Sequence, residues 1–211
     1  MWKDLSTEWQ IVLEEAWNAF ISGSIPIGAA IFDKDGRLLA KGHNTCSEKA
    51  VLNPKMAHAE MNVLQRLDCR TGLNVREVDM YSSMEPCPMC LGAIVMGNIK
   101  HLSCGAHDRW CGALHLLDTD PYMRSQRIQL ADFHDNIEFF QLVLSSYYEL
   151  KNYHKNGNMS VVDCFRISSS HAVETAEKLY MRRELDRLAQ AGRPCYEVYN
   201  MITELQEEYN V

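Results

Sequence analysis

Two short segments of the chain combine residue types that bind metal ions and transfer protons. They are AHAE at positions 57–60 and EPCPMC at positions 85–90. Cys87 and Cys90 are three residues apart, so at the start of a helix their sulfur atoms project from neighbouring positions and can bind one ion. The positive potential at a helix N terminus also favours the thiolate form that zinc requires. The spacing therefore predicts a metal site with both cysteines as ligands.

His58 and Glu60 complete the predicted site. His58 supplies a nitrogen ligand, and three protein ligands leave the fourth tetrahedral position open for water, as in a catalytic zinc site. Glu60 lies two positions further on, and on a helix such positions point about 200° apart. Both side chains can serve one site only where the metal lies off the N-terminal end of the helix. We therefore expect Zn²⁺ between the starts of two helices, with Glu60 as the catalytic group.

The pattern H-x-E followed by P-C-x-x-C is the signature of zinc-dependent nucleobase deaminases. With it, the chain resembles the cytidine deaminase-like superfamily, and within it the branch of tRNA adenosine deaminases, guanine deaminases and small cytosine deaminases. The resemblance extends over roughly residues 8–153 and is carried, in order, by the segments Pro26–Ala29, Gly42–Asn44, His58–Glu60, Glu85–Ala93 and Gly105–Asp108. It implies a three-layer α-β-α fold with a central mixed sheet, and a homodimer.

The resemblance also implies a hydrolytic reaction that replaces the exocyclic amine of a nucleobase or nucleoside with oxygen and releases ammonia. Zinc activates a water molecule, while Glu60 accepts its proton and delivers protons to the ring nitrogen and the leaving amine. By the same resemblance Asn44, the Ala59 backbone and Asp108 bind the substrate. For Asn44 the alternative is a turn residue, and for Asp108 a solvated loop residue.

The chemistry is better specified than the substrate. The formal net charge of −7 and the isoelectric point near 5.6 disfavour a long polyanionic ligand, so a free base or nucleoside is the preferred substrate. A tRNA adenosine deaminase remains the alternative, since Gly105–Asp108 and a helix near 136–153 are placed as in those enzymes. The basic residues at the end of this helix, Lys151, His154 and Lys155, are nevertheless too few to form a strong binding surface for the phosphate backbone of tRNA.

A third alternative is a non-catalytic binding module stabilised by a structural zinc ion. Such a site needs a fourth protein ligand, for which Cys104, His107 and Cys111 are available. The partner segment containing His58 and Glu60 favours the catalytic site over this alternative.

The periodicity of apolar residues predicts the elements that must position these groups. A helix over about 8–22, capped by Thr7, precedes a β-hairpin that turns at Asp35-Gly36. The remaining predicted elements are a helix at 58–68, a strand at Val78–Ser82, a helix at Pro88–Met96, a strand at Ile99–Cys104 and a helix at 136–153; the hairpin strands are Ile27–Phe32 and Leu38–Lys41. This order indicates an α/β fold with a mixed sheet.

The chain is expected to divide into a zinc-dependent deaminase domain, residues 1–155, and a helical C-terminal extension, residues 156–211, with the boundary near Lys155–Gly157. Two amphipathic helices are predicted in the extension, around Val173–Leu188 and Val198–Tyr209. We expect them to form a cap packed on the core or a contact with a dimer partner.

Composition sets the broad class. The 211 residues are 46% apolar and 23% charged, which is typical of a globular protein. No run of about 18 apolar residues is present, and the first five residues lack the character of a signal peptide. The chain is therefore expected to be cytoplasmic, without a membrane partner and with its eight cysteines as thiols.

Overall fold

A mixed five-stranded sheet forms the centre of the protein. The computed structural model describes residues 1–156 and 159–209, without the side chains of residues 154–156, 208 and 209. The strands are β1 (Gly28–Phe32), β2 (Leu38–His43), β3 (Asp79–Ser82), β4 (His101–Cys104) and β5 (Gln129–Leu130), in the order β2-β1-β3-β4-β5. β1 pairs antiparallel with β2 and with β3, whereas β3, β4 and β5 run parallel to one another. This confirms the expected hairpin and mixed sheet.

Helices cover both faces of the sheet. They are α1 (Thr7–Ile21), α2 (Ala59–Arg66), α3 (Pro88–Met96), α4 (Leu116–Thr119), α5 (Pro121–Ser125), α6 (Asp135–Asn156), α7 (Ser160–Ser168), α8 (Ser170–Met181), α9 (Glu184–Gln190) and α10 (Cys195–Tyr209). Strand β1 is buried on both sides: Ala30 and Phe32 join the core formed with α1 and α6–α10, whereas Ala29 and Ile31 join the core formed with α2 and α3. The expected three-layer architecture is confirmed.

Helix α1 lies unusually close to strand β1. A Cβ atom added to Gly28 would stand 2.2 Å from the Val12 carbonyl oxygen and 2.5 Å from the Ala16 nitrogen. Glycine is therefore required here because the backbone of the helix occupies the space of a side chain. The Gly28 amide donates to the Ser83 hydroxyl, 3.1 Å away, which ties β1 to the segment that leads towards Cys87.

The C-terminal extension departs from the expected two helices, because it contains α7, α8, α9 and α10. Helix α7 was not predicted. The continuous periodicity across 173–188 is interrupted, since Arg183 adopts a left-handed conformation with φ of 54° and separates α8 from α9. At the other end of the chain, the cap of α1 is Ser6 and not Thr7, and its side chain accepts from the Trp9 amide. Strand β5 and helices α4 and α5 were also not predicted.

The extension packs against the rest of the protein and shares its larger apolar core. Phe165 and Tyr199 are buried together with Trp17 and Phe140, and the Trp17 indole donates to the Arg193 carbonyl at 2.9 Å. Helix α6 runs through position 155, and Gly157 lies outside the described residues, so the domain boundary remains a prediction. Among the described residues, none of the helices combines the length and apolar character needed to cross a bilayer.

Candidate active site

The three predicted metal ligands meet at the starts of two helices. His58 immediately precedes α2, Cys87 immediately precedes α3, and Cys90 lies in the first turn of α3. The His58 Nδ1 atom is 3.6 Å from the Cys87 Sγ atom and 3.4 Å from the Cys90 Sγ atom, and the two sulfur atoms are 3.6 Å apart. The two segments therefore converge off the helix ends, as their spacing predicted.

This donor set fits a tetrahedral zinc ion. Bonds of about 2.0 Å to nitrogen and 2.3 Å to sulfur at tetrahedral angles place the ligand atoms roughly 3.5–3.8 Å apart, close to the distances above. His58, Cys87 and Cys90 each offer one potential ligand atom, and these three atoms all lie within 4.8 Å of one another. It is a His-Cys-Cys group of the kind that zinc deaminases use, with one coordination position left open.

Cys87 and His58 stabilise each other's charged forms. The hydrogen bond from the Cys90 thiol lowers the pKa of Cys87 to about 4, and the His58 hydrogen bond acts in the same direction. The hydrogen bond with Cys87 in turn raises the pKa of His58. That same sharing raises the pKa of Cys90, so Cys87 is the thiolate of the pair. One cysteine is thus held as a zinc-binding thiolate by its surroundings.

Glu60 points into the same site from α2. Its side chain is buried, and its carboxylate oxygens accept from the Ser82 hydroxyl at 3.3 Å and from the Cys90 thiol at 3.4 Å. Burial raises the pKa of Glu60 above its ordinary value. A carboxyl group whose pKa is shifted towards neutrality is suited to both accepting and donating a proton in one turnover.

A cavity of about 230 Å³ opens beside these groups. It lies where the starts of α2 and α3, from one layer, meet α6 and α7 from the other. Its walls are largely apolar, and four carboxyl groups reach it. The lining residues are Ile25, Pro26, Ile27, Asn44, His58, Glu60, Met84, Glu85, Cys87, Asp108, Trp110, Cys111, Ser145, Tyr148, Glu149, Val161 and Phe165.

The three predicted substrate-binding residues are placed differently. Asn44 lines the cavity, and its side-chain oxygen accepts from the Cys46 amide. Ala59 is the first residue of α2 and is buried, but it is not part of the cavity lining. Asp108 lines the cavity, yet its carboxylate accepts from the amides of Trp110 and Cys111 and so closes its own turn. The side-chain NH2 group of Asn44 forms no hydrogen bond among the described residues and is therefore available to a ligand.

The three residues considered for a fourth zinc ligand lie outside the His-Cys-Cys group, and two of them have other partners. Cys104 is buried at the end of β4. His107 pairs with Glu138 at 2.8 Å, and the Cys111 thiol donates to Asp108 at 3.1 Å. None of them belongs to the His-Cys-Cys group, which has three protein ligands among the described residues.

Sequence reasoning missed several residues of the cavity wall. The Glu85 carboxylate accepts from the amides of Asp108 and Leu114, at 3.1 and 2.9 Å, and holds the loop between β4 and α4. Tyr148 lines the cavity, whereas its predecessor Tyr147 is buried in the larger core. Phe165 belongs to the helix that was not predicted. Periodicity shows which residues face away from solvent, but it does not distinguish a residue that lines a cavity from one that packs in the core, as Val161 and Phe165 on α7 illustrate.

The fold and the His-Cys-Cys group with its neighbouring glutamate define a nucleobase deaminase of the cytidine deaminase-like superfamily, a hydrolase that acts on C–N bonds. Residues 4–140 match the model of the MafB19-like deaminase family, and the chain belongs to that family. Helices α7–α10 lie beyond the matched region.

Similar proteins carry several substrate names. A cytosine deaminase of Candida albicans is 31% identical over 108 residues, which is 51% of this chain and 70% of that protein. A tRNA-specific adenosine deaminase of Streptococcus pyogenes is 34% identical over 126 residues, 57% of this chain and 76% of the relative. The solved structure of NE0047 in complex with 2,6-diaminopurine superposes with a TM-score of 0.54 at 20% identity, covering 69% of this chain and 81% of that one, which supports the fold alone.

Proposed function

We propose that this chain deaminates a free nucleobase or nucleoside and not a base within tRNA. The observation that carries the proposal is the position of α7. This helix places Val161 and Phe165 in the wall of the cavity, beside the His-Cys-Cys group. Phe165 is only 4% exposed, so this wall is firmly packed. An enzyme that acts on a polynucleotide is expected to present basic residues near its site, whereas the charged residues that line this cavity are four carboxyl groups and His58.

In this proposal His58, Cys87 and Cys90 hold the metal ion. Bound zinc supplies a Lewis acid that makes a water molecule nucleophilic near neutral pH. Glu60 accepts one proton from the attacking water and passes it to the ring nitrogen, and it then accepts the proton of the added hydroxyl group and delivers it to the departing amine, which leaves as ammonia. Ser82 donates to the Glu60 carboxylate and keeps it oriented. The Asn44 amide orients the base, and the apolar walls exclude bulk water.

Deamination of adenosine in tRNA is the second candidate, favoured by relatives that are tRNA-specific adenosine deaminases. Glu149 at the cavity argues against it, because a further carboxylate near the substrate would repel phosphates. A homodimer belongs to the proposal as well, and light scattering on the purified chain measures it.

Ammonia release from the zinc-loaded protein tests the proposal. The substrates are cytosine, guanine, adenine, their nucleosides and an anticodon stem-loop. Glu60→Gln provides the blank and is expected to retain zinc while losing about 10²- to 10⁴-fold in turnover. Turnover of a free base or nucleoside supports the proposal. Turnover of the stem-loop alone would make the protein a tRNA-modifying enzyme, and full activity of the Glu60→Gln protein would overturn the assigned role of Glu60.

A further inference from the structure

Glu149 differs from the other carboxyl groups of the cavity because it has no hydrogen-bonding partner among the described residues. Three of the four accept hydrogen bonds from the protein: Glu60 from Ser82, Glu85 from the amides of the β4–α4 loop, and Asp108 from the amides of its own turn. Glu149 is half-buried, and in the part of the chain that the structure describes it receives neither a hydrogen bond nor an ion pair. Burial alone raises its pKa.

The surroundings of Glu149 make the missing partner costly. Ile27, Val161 and Phe165 line the same cavity without offering a donor, and the polar residues that line it, including Asn44, form no hydrogen bond with Glu149 among the described residues. A half-buried carboxylate without a donor is partly desolvated, and a ligand that brings an N–H group offsets that cost through a charge-assisted hydrogen bond. The position therefore calls for a donor on the ligand.

The positions of the helices on the two faces of the sheet determine which edge of a bound base faces Glu149. Helices α2 and α3 cover one face of the sheet and position the His-Cys-Cys group and Glu60. Helix α6, which contains Glu149, covers the other face. A base that is bound between them with its amine-bearing carbon towards Glu60 would direct the opposite edge of its ring towards α6. In cytosine and adenine, that opposite edge carries the nitrogen to which the sugar is attached in a nucleoside.

We propose that Glu149 selects the free base over the nucleoside by accepting a hydrogen bond from the ring N–H that a sugar would replace. This inference rests on the proposed deaminase function and narrows its substrate class. A nucleoside or an N-alkylated base has no hydrogen at that nitrogen, so it leaves the Glu149 carboxylate unpaired and places a bulky group against it. Loss of a hydrogen bond to a charged group is expected to lower kcat/KM by about 10- to 100-fold.

The test compares each free base with its analogue methylated at the sugar-bearing nitrogen: cytosine with 1-methylcytosine and adenine with 9-methyladenine. The methyl group is small, so the comparison reports the lost N–H more than size. The ratio of kcat/KM values, base over methylated base, is measured for the unmodified protein, for Glu149→Leu and for the matched exposed control Glu204→Gln on α10.

For the substrate that is turned over, we expect a ratio of about 10 to 100 in the unmodified protein and in Glu204→Gln, and a ratio within about threefold of unity in Glu149→Leu. Zinc content and the melting temperature verify that Glu149→Leu is folded. An equal ratio in all three proteins, with deamination intact, would remove the role of Glu149 and leave the proposed function standing. Absence of turnover on every base and nucleoside would remove the proposed function, and this inference with it.

Discussion

The contact between α1 and β1 makes a sharp prediction about stability. In Gly28→Ala the new methyl group would stand 2.2 Å from the Val12 carbonyl oxygen and 2.5 Å from the Ala16 nitrogen. Both are backbone atoms, so no side-chain rotation relieves the clash and α1 must move away from the sheet. Overpacking of this severity costs about 3 kcal/mol, which in a domain of this size lowers the melting temperature by about 6–12 °C.

Gly92→Ala provides a matched control with the opposite sign. Gly92 lies inside α3, and a Cβ atom added there meets nothing within 4 Å. Because alanine is the better helix former by about 1 kcal/mol, this change should raise the melting temperature by about 2–4 °C. Differential scanning calorimetry of the three zinc-loaded proteins measures both shifts. A Gly28→Ala protein as stable as the unmodified one would refute the close helix–strand contact.

Three further predictions concern the surroundings of the site. The buried Glu15 carboxylate accepts a hydrogen bond from His43 at 2.8 Å. Burial raises the pKa of Glu15, but its hydrogen bonds outweigh burial and lower that pKa overall. The same contact raises the pKa of His43. The His43 contribution is complete below about pH 6.5 and is lost as pH rises through its raised pKa, whereas the Glu15 contribution is complete above about pH 4.5 and is lost in more acidic solution. Glu15→Gln should therefore destabilise the protein by about 2 kcal/mol at pH 6 and by less at pH 8.5, as urea unfolding at both pH values will show; an equal loss at both would contradict this. Glu85→Ala removes both acceptors of the β4–α4 loop, so limited proteolysis should cut that loop at least tenfold faster, and unchanged cleavage would count against its tether. Cys87→Ser should abolish zinc binding and activity while the exposed Cys69→Ser keeps both, as metal analysis will measure; zinc at full occupancy in the first variant would exclude Cys87 as a ligand.

Local pattern was sufficient wherever short-range chemistry dominates. The spacing of Cys87 and Cys90 and the offset between His58 and Glu60 predicted a site at two helix starts, and the structure places the ligand atoms 3.4–3.6 Å apart there. The hairpin was predictable too, because the turn at Asp35-Gly36 depends on Gly36, which adopts a φ of 78°.

Local pattern failed where the backbone changes direction without a characteristic residue. Arg183 adopts a left-handed conformation and ends α8, although no glycine or asparagine marks the position. Helix α7 escaped detection because it is short, and its buried residues Val162 and Phe165 are too few to establish a period. Helices α7, α8 and α9 are all held by packing in the larger core. That packing joins residues that are far apart in the chain, so a short stretch of sequence does not reveal it.

The sequence by itself determined the reaction chemistry, because zinc ligands and a proton-transferring carboxylate must have specific residue types at specific separations. The surroundings of that chemistry were decided by the tertiary structure alone. Asp108 turned its carboxylate into its own loop, while Glu149 and Phe165, distant from the metal segments in the chain, came to line the cavity. A cavity is formed by elements that meet from different layers, so its walls depend on packing between segments and leave no periodic trace in any one of them.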